Sequence, residues 1–295
     1  MPESLLAPGH TACLGCGELL GARLAVDAVG PNCIIVNATG CLEVCTSKWP
    51  QSAWRVPWIH SLFDNTAAVA AGIEAALRAQ GKKEGITVIA QGGDGGMADI
   101  GFGPISGMWE RGHHVLTMIF DNEAYMNTGI QRSGLTPVGA RTSTSPPGKF
   151  SLGNPRPKKD MVQIAVAHGL PYVASASSAY ARDLQSKVKK AIAVQGPTLL
   201  HVHTPCPLGW GYSAAETITI GELAVKTALF PVVEIENGKV TKVMSFRQKT
   251  PVEEYLKPQV RFRHLFSGDG DPAQIARIQA IADENIARYG LLRES

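Results

Sequence analysis

The sequence predicts an α/β fold: a doubly wound, mostly parallel sheet followed by an irregular C-terminal extension. Two observations carry this expectation. Short apolar runs alternate with stretches whose apolar positions recur at helical spacing, the pattern of parallel strands joined by right-handed crossovers. The runs are also nearly continuous in apolar residues, as required when both faces of a sheet are buried.

Taken in order, Glu18 to Ala28 carries Leu19, Leu20, Leu24 and Ala28 at helical intervals, and the strand-like Cys33-Ile34-Ile35-Val36 follows. Asn65 to Ala79 is Ala-rich with Val69, Ile73, Ala76 and Leu77 on one face, a helix suited to packing on a sheet. Strands are expected over 86–91, 114–120, 171–174 and 197–203, and helices over 98–111, 158–168 and 179–194. Between Asn127 and Pro157 lies a segment rich in Thr, Ser, Gly and Pro, longer than a compact domain usually spends on a connection. It is expected to fold over a site or contact a partner; the alternative is a mobile surface loop. Beyond Gly209 the pattern loosens into a helix over 220–228, a hairpin from Val232 to Val240 turned by Asn237-Gly238, and a charged tail expected to wrap another chain. The α/β domain thus spans 1–210, and 211–295 is an extension packing on it or on partner subunits.

The chain has 295 residues, 44% hydrophobic and 18% charged, ordinary values for a globular protein with a full core. No apolar run reaches the roughly 18 residues that span a bilayer. Met1-Pro2-Glu3-Ser4 lacks the basic and apolar regions of a signal peptide, so a cytoplasmic setting without membrane contact is expected. A formal charge of +3 with scattered cations argues against nucleic acid. The densest cationic group, Arg156, Lys158 and Lys159, reads as a solvated loop and helix start.

Chemistry concentrates in loops that follow strands. Gly93-Asp94-Gly95-Gly96 succeeds an apolar run and precedes a helix start, an arrangement whose free backbone N–H groups and helix dipole favour phosphate. The Asp94 carboxylate would repel a diphosphate unless a divalent cation stood between them, so the motif asks for both. Magnesium prefers a few protein oxygens together with phosphate oxygens. Asn122, in Asp121-Asn122-Glu123-Ala124 at the end of the next apolar run, is the candidate second donor. A Gly-Asp-Gly followed by an asparagine about thirty residues later resembles the thiamine diphosphate signature. Gly93, Gly95 and Ala98 also fit the dinucleotide pattern, with Asp121 as the ribose acid, but an aspartate between the glycines has no task against an unmetallated pyrophosphate.

Six cysteines in such a chain read as metal ligands or core thiols, not as disulfides. Cys13 and Cys16 form a C-x-x-C turn, Cys41 closes the loop after Val36, and Cys206 follows the strand ending at His203; all four sit in loops. Cys33 lies inside an apolar run as a core thiol, and Cys45, one turn beyond Cys41, is ambiguous. Ligands in an open parallel sheet bind beyond the carboxyl ends of the strands, so the loops with Cys41, Asp94, Asn122 and Cys206 belong on one edge. Four thiolates accept zinc or an iron–sulfur cluster, and spacing does not separate them.

Cys13-Leu14-Gly15-Cys16-Gly17-Glu18, Asn37-Ala38-Thr39-Gly40-Cys41-Leu42-Glu43, Trp54-Arg55-Val56-Pro57-Trp58-Ile59-His60, Gly93-Asp94-Gly95-Gly96, Asp121-Asn122-Glu123-Ala124-Tyr125-Met126-Asn127-Thr128-Gly129 and Thr204-Pro205-Cys206-Pro207, in that order, resemble the beta subunit of pyruvate:ferredoxin oxidoreductases. The resemblance runs from about His10 to His264. It implies that Cys13, Cys16, Cys41 and Cys206 ligate a 4Fe-4S cluster. Asp94, the Asn122 side chain and the Ala124 carbonyl would hold magnesium. Thr39, Gly40, Gly93, Gly95 and Gly96 would line the diphosphate site, with Asn127 near the thiazolium as the catalytic candidate.

The implied reaction is oxidative, CoA-dependent decarboxylation of a 2-oxo acid, pyruvate first, with electrons passed to ferredoxin. Oxalate or an arylglyoxylate such as phenylglyoxylate, with NAD as final acceptor, is the alternative, and a zinc-stabilised nucleotide-binding scaffold the remote one. The resemblance further implies alpha-, gamma- and delta-type partner subunits, one of which supplies the glutamate that activates the coenzyme, so the chain alone would be inert. Trp49, Trp54 and Trp58 read as interface packing or a substrate pocket; His60 reads as a cofactor or substrate contact or a capped core histidine at a helix start.

Overall fold

The computed structural model describes residues 3–48, 52–268 and 270–293. Trp49 and Pro50 of the aromatic segment lie outside the described residues, as do Met1 and Pro2. Among the described residues, eight strands form one sheet in the order β2-β1-β3-β4-β6-β5-β7-β8. They are β1 (Cys33–Ala38), β2 (Trp58–Ser61), β3 (Thr87–Gly93), β4 (Val115–Asp121), β5 (Tyr172–Ser177), β6 (Thr198–His203), β7 (Val233–Glu236) and β8 (Lys239–Val243). The first six run parallel, and the hairpin β7–β8 joins antiparallel to β5.

Strand side chains alternate between two apolar layers. Ile35, Ile89, Met118 and Val202 pack beneath α1 (Gly17–Val29) and α6 (Ala181–Ala193). Val36, Val88, Ile119 and Val173 pack beneath α3 (Thr66–Ala79), α4 (Phe102–Glu110) and α5 (Met161–Ala167). In α3 the small residues Ala67, Ala70 and Ala71 face inward, which lets the helix approach the sheet closely. Helices on both faces of a mostly parallel sheet are the doubly wound architecture read from the sequence.

The extension is more regular than its sequence suggested. It holds α8 (Thr217–Lys226), α9 (Val252–Leu256) and α10 (Pro272–Tyr289) around a third apolar cluster that includes Trp210, Phe262, Leu265, Ile278 and Ala282. The segment read as a charged tail forms most of α10, because Ile278 and Ala282 share one face and bury against that cluster. Asn237 and Gly238, with φ of 49° and 78°, make the expected hairpin turn. Several short elements escaped the reading, among them α2 (Cys41–Thr46) and the edge strand β2. Trp54, read as interface packing or pocket, is instead buried in the core, its Nε1 donating to the Thr46 hydroxyl at 3.0 Å. His60 is neither in the core nor at a helix start; it lies half exposed on β2 and shares a 2.8 Å hydrogen bond with the Thr39 hydroxyl.

Candidate functional site

Strands β1, β3, β4 and β6 are adjacent and parallel, so the loops at their carboxyl ends stand side by side. The sequence places Thr39 to Cys41, Asp94, Asn122 and Cys206 in these four loops. A cleft of about 50 Å³ opens there, lined by residues that include Glu18, Thr39, Gly40, Cys41, Gly93, Asp94, Gly95, Gly96, Asn122, Ala124 and Asn127. Its size suits one end of a coenzyme, not a whole one, given that drug-sized ligands occupy several hundred Å³. A larger cavity of about 280 Å³, between the Lys158 segment and α10 and lined also by Glu123, shares no lining residue with it.

The glycine loop enters a π-helical turn, Gly95–Ile100, with Asp94 at its cap, so the helix begins earlier than residue 98. Glycine is required by close approach: a Cβ on Gly95 would run into the Tyr125 ring, and one on Gly96 would come within 2.9 Å of the Ala38 Cβ. The long segment folds over this site. Ser133 donates to Asp94 Oδ2, and the Gly134 N–H donates to Asp99 Oδ2 at 2.7 Å.

Asp94 is fully buried, and its Oδ1 has no hydrogen-bond partner. The same holds for Asn122 Oδ1, while Asn122 Nδ2 donates to Glu18 Oε2 at 2.9 Å and leaves Glu18 Oε1 unpartnered. Burial, reinforced by the Asp121 charge, raises the Asp94 pKa well above the ordinary carboxylate range. Burial likewise pushes Glu18 up to about 7, against the pull of the Asn122 hydrogen bond. Unpartnered buried oxygens are costly unless something bonds them. Three such oxygens belong to the lining of one cleft, and those of Asp94 and Asn122, next to a glycine loop at a helix N-terminus, fit a hard divalent cation carrying a diphosphate.

The thiols gather beside this cleft. Cys16 caps α1, its Sγ accepting from the Leu19 N–H at 3.4 Å, and Cys206 caps α7 (Pro207–Trp210), accepting from the Gly209 N–H at 3.3 Å. The two caps touch: the Gly17 N–H donates to the Pro205 carbonyl at 3.1 Å, and a Cβ on Gly17 would collide with that oxygen. Cys41 opens α2 on the wall of the cleft. Burial, with the Glu18 charge, pushes Cys16 up to about 12, and Cys41 higher still. Burial also lifts Cys206 to about 11. As thiolates, Cys16 and Cys206 would act on Cys41, and Cys13 on Cys206, which links the four through electrostatics. Cys45 shares this field, whereas Cys33 is a buried thiol of the apolar layer under α1. Among the described residues, no three His, Cys, Asp or Glu side chains gather tightly enough for a single metal ion.

Sequence reasoning missed several residues here. Glu18 is the second residue of α1, where an acid is ordinary for the helix dipole, so nothing set it apart. Ser133 lay in a segment without periodicity. Lys158 was read as solvated; its side chain is instead mostly buried between Asp121 and Glu123, at 2.7 Å from each. A cation can enter the interior there because two carboxylates receive it.

The fold and the cleft define a coenzyme-binding α/β domain of the thiamine enzymes. Residues 38–202 match the family described as thiamine pyrophosphate enzyme, C-terminal TPP binding domain. The pyruvate synthase subunit PorB of Methanosarcina barkeri is 51% identical over 290 residues, covering 98% of each chain. The ketoisovalerate oxidoreductase subunit VorB of Pyrococcus abyssi is 46% identical, covering 88% of this chain and 86% of that one. A solved 2-oxoglutarate:ferredoxin oxidoreductase from Magnetococcus marinus, with 2-oxoglutarate, coenzyme A and succinyl-CoA bound, shares the fold. Its TM-score is 0.57 at 24% identity, over 67% of this chain and 65% of that chain. The chain belongs to the pyruvate synthase beta-subunit family of the 2-oxoacid oxidoreductases, as a subunit of an oxidoreductase complex.

Proposed function

We propose that this chain is the thiamine diphosphate- and 4Fe-4S-binding subunit of a complex that converts a 2-oxo acid and coenzyme A to an acyl-CoA. One carbon dioxide, one proton and two electrons are released. The observation that carries this reading is the juxtaposition, beyond four adjacent parallel strands, of the unpartnered buried oxygens of Asp94 and Asn122 with a group of thiols. Asp94, Asn122 and the Ala124 carbonyl would hold magnesium; Thr39, Gly40, Gly93, Gly95 and Gly96 would line the diphosphate, and Asn127 would stand nearest the thiazolium. When bound, the coenzyme supplies the sink for the electron pair freed by decarboxylation.

The chain's own residues bind and orient. The π-turn offers its N–H groups, the bulk of Tyr125 and Ala38 closes the floor, and Ser133 fixes one Asp94 oxygen so that the other points into the cleft. Cys13, Cys16, Cys41 and Cys206 would hold the cluster. Buried thiols with raised pKa values lose their protons on binding a cation. We read 1–210 as the domain carrying both cofactors and 211–295 as the extension packed on it.

Pyruvate is the substrate favoured by the relatives' names, and ferredoxin the acceptor. Leu14, Leu62 and Leu208 are largely exposed, Leu14 and Leu208 on the cysteine loops and Leu62 just beyond β2, which supports coverage of this edge by partner subunits of alpha, gamma or delta type. The test is to purify the assembled complex, measure thiamine diphosphate, iron and sulfide, and follow viologen reduction with pyruvate, 2-oxoisovalerate, oxalate and phenylglyoxylate. Coenzyme, iron and CoA-dependent reduction by pyruvate are expected. A complex lacking both thiamine diphosphate and iron overturns the reading, and faster reduction by another acid reassigns the substrate.

A further inference from the structure

Between Asn122 and Ala124, two of the three proposed metal donors, stands Glu123, a buried non-glycine residue with φ of 70°. Such a conformation is costly for a residue with a Cβ and persists only where its surroundings over-determine it. Those surroundings are explicit. The Glu123 N–H donates to Asp121 Oδ1 at 3.0 Å, and its carbonyl accepts from the Thr136 hydroxyl at 2.7 Å. Lys158 Nζ bonds Glu123 Oε1 at 2.7 Å, and the Arg261 guanidinium forms an ion pair with Oε2 at 2.6 Å without hydrogen-bond geometry. Lys158 also bonds Asp121 Oδ2 at 2.7 Å, which His201 Nε2 meets at 2.9 Å.

The backbone on either side is tied as well. The Asp121 carbonyl accepts from the Thr204 N–H at 2.9 Å, and the Asn122 carbonyl from Trp210 Nε1 at 2.8 Å. Arg261 is itself fixed: its Nε bonds the Gln259 side chain at 2.7 Å, and its guanidinium lies 3.7 Å from the centre of the Trp210 ring. The loop is gripped from behind, while Asn122 Oδ1 in the cleft is left free. Buried ion pairs are a poor means of stabilising a fold in general, so a cluster spent on one left-handed residue calls for a local purpose.

We propose that Lys158 and Arg261 are positioning residues that clamp Glu123 in its left-handed conformation and thereby aim the Asn122 side chain and the Ala124 carbonyl at the metal. This rests on reading Asp94 and Asn122 as metal donors. Residues that orient ligands from behind commonly change metal affinity by about ten- to a hundredfold when removed. Arg261 comes from the extension, so this segment contributes to a cofactor site formed at the ends of the sheet strands.

The test is a titration of manganese in place of magnesium, followed by the EPR signal of free manganese. It uses the assembled complex stripped of metal and coenzyme, at fixed thiamine diphosphate. Lys158→Met and Arg261→Met are expected to weaken manganese binding about tenfold or more, with subunit assembly and cluster absorbance retained and Lys158→Arg restoring most of the affinity. Glu123→Gly should stay closer to the native affinity than Glu123→Ala, because glycine accepts positive φ without the clamp. If Lys158→Met does not assemble, the Glu123 pair decides. Asp94→Asn run alongside separates the two claims. If it binds manganese like the native complex, the donor assignment and the clamp fail together. If it loses manganese while the Lys158, Arg261 and Glu123 variants keep native affinity and show only lower melting temperatures, the clamp alone is overturned.

Discussion

Single atoms set the chemistry of this protein. Asp94 Oδ1 and Asn122 Oδ1 lack partners, while Ser133 holds Asp94 Oδ2 and the Asn122 amide donates to Glu18. Gly95 and Gly96 act by what they omit. Gly95→Ala should therefore cost about 2 kcal/mol, as a methyl group forced into a packed contact does. It should also weaken coenzyme retention; thermal denaturation and a fluorescence titration of thiamine diphosphate check the two effects separately. Among the thiols, Cys45 lies in the same field as the four assigned ligands but one helical turn beyond Cys41. Cys45→Ser is expected to keep its iron and visible absorbance, whereas Cys206→Ser should lose both, as iron analysis and absorption spectra would show.

Most elements were legible in the sequence, because strands buried on both faces leave unmistakable apolar runs. The runs 86–91, 114–120 and 197–203 reappear as β3, β4 and β6 within two residues. What stayed hidden depends on contacts between remote segments. The amphipathic face of α10 acquires meaning only against the cluster around Trp210. Lys158 looks like any loop lysine until Asp121 and Glu123 are brought to it. The glycine loop declared a phosphate-type turn, yet the π-helical geometry of Gly95–Ile100 could not be read from residue types. The strand β6 carries a further consequence of this kind. Its terminal His203 is buried against Phe230 and Trp210 with neither ring nitrogen hydrogen-bonded. Burial above all, aided by the Lys158 and Arg261 charges and opposed by Glu123, lowers its pKa to about 4 from an ordinary 6.5. The unfolded chain thus binds more protons between these values, and stability falls as pH drops from 6.5 towards 4. The loss from this group is about 3 kcal/mol. Urea denaturation of the metal-free chain across that range should show the slope, and His203→Phe should flatten it.

At the scale of the whole molecule, one end of the sheet brings the candidate site together with the exposed Leu14, Leu62 and Leu208. The isolated chain is therefore expected to take up iron and bind metal with thiamine diphosphate, yet to reduce no viologen until partner subunits are added. Mixing purified subunits and timing the onset of dye reduction measures this. The two margins of the sheet differ in another way. β8 is largely solvent-exposed along its length and carries Lys239 and Lys242, while β2 at the opposite margin has only four residues. Outward lysines on a terminal strand repel a second copy that tries to extend the ladder, and a short strand offers little to pair with. A newly made subunit waiting for its partners is thus protected at both flanks against fibril-like self-stacking, while the leucines at the end its partners would cover stay open to other contacts.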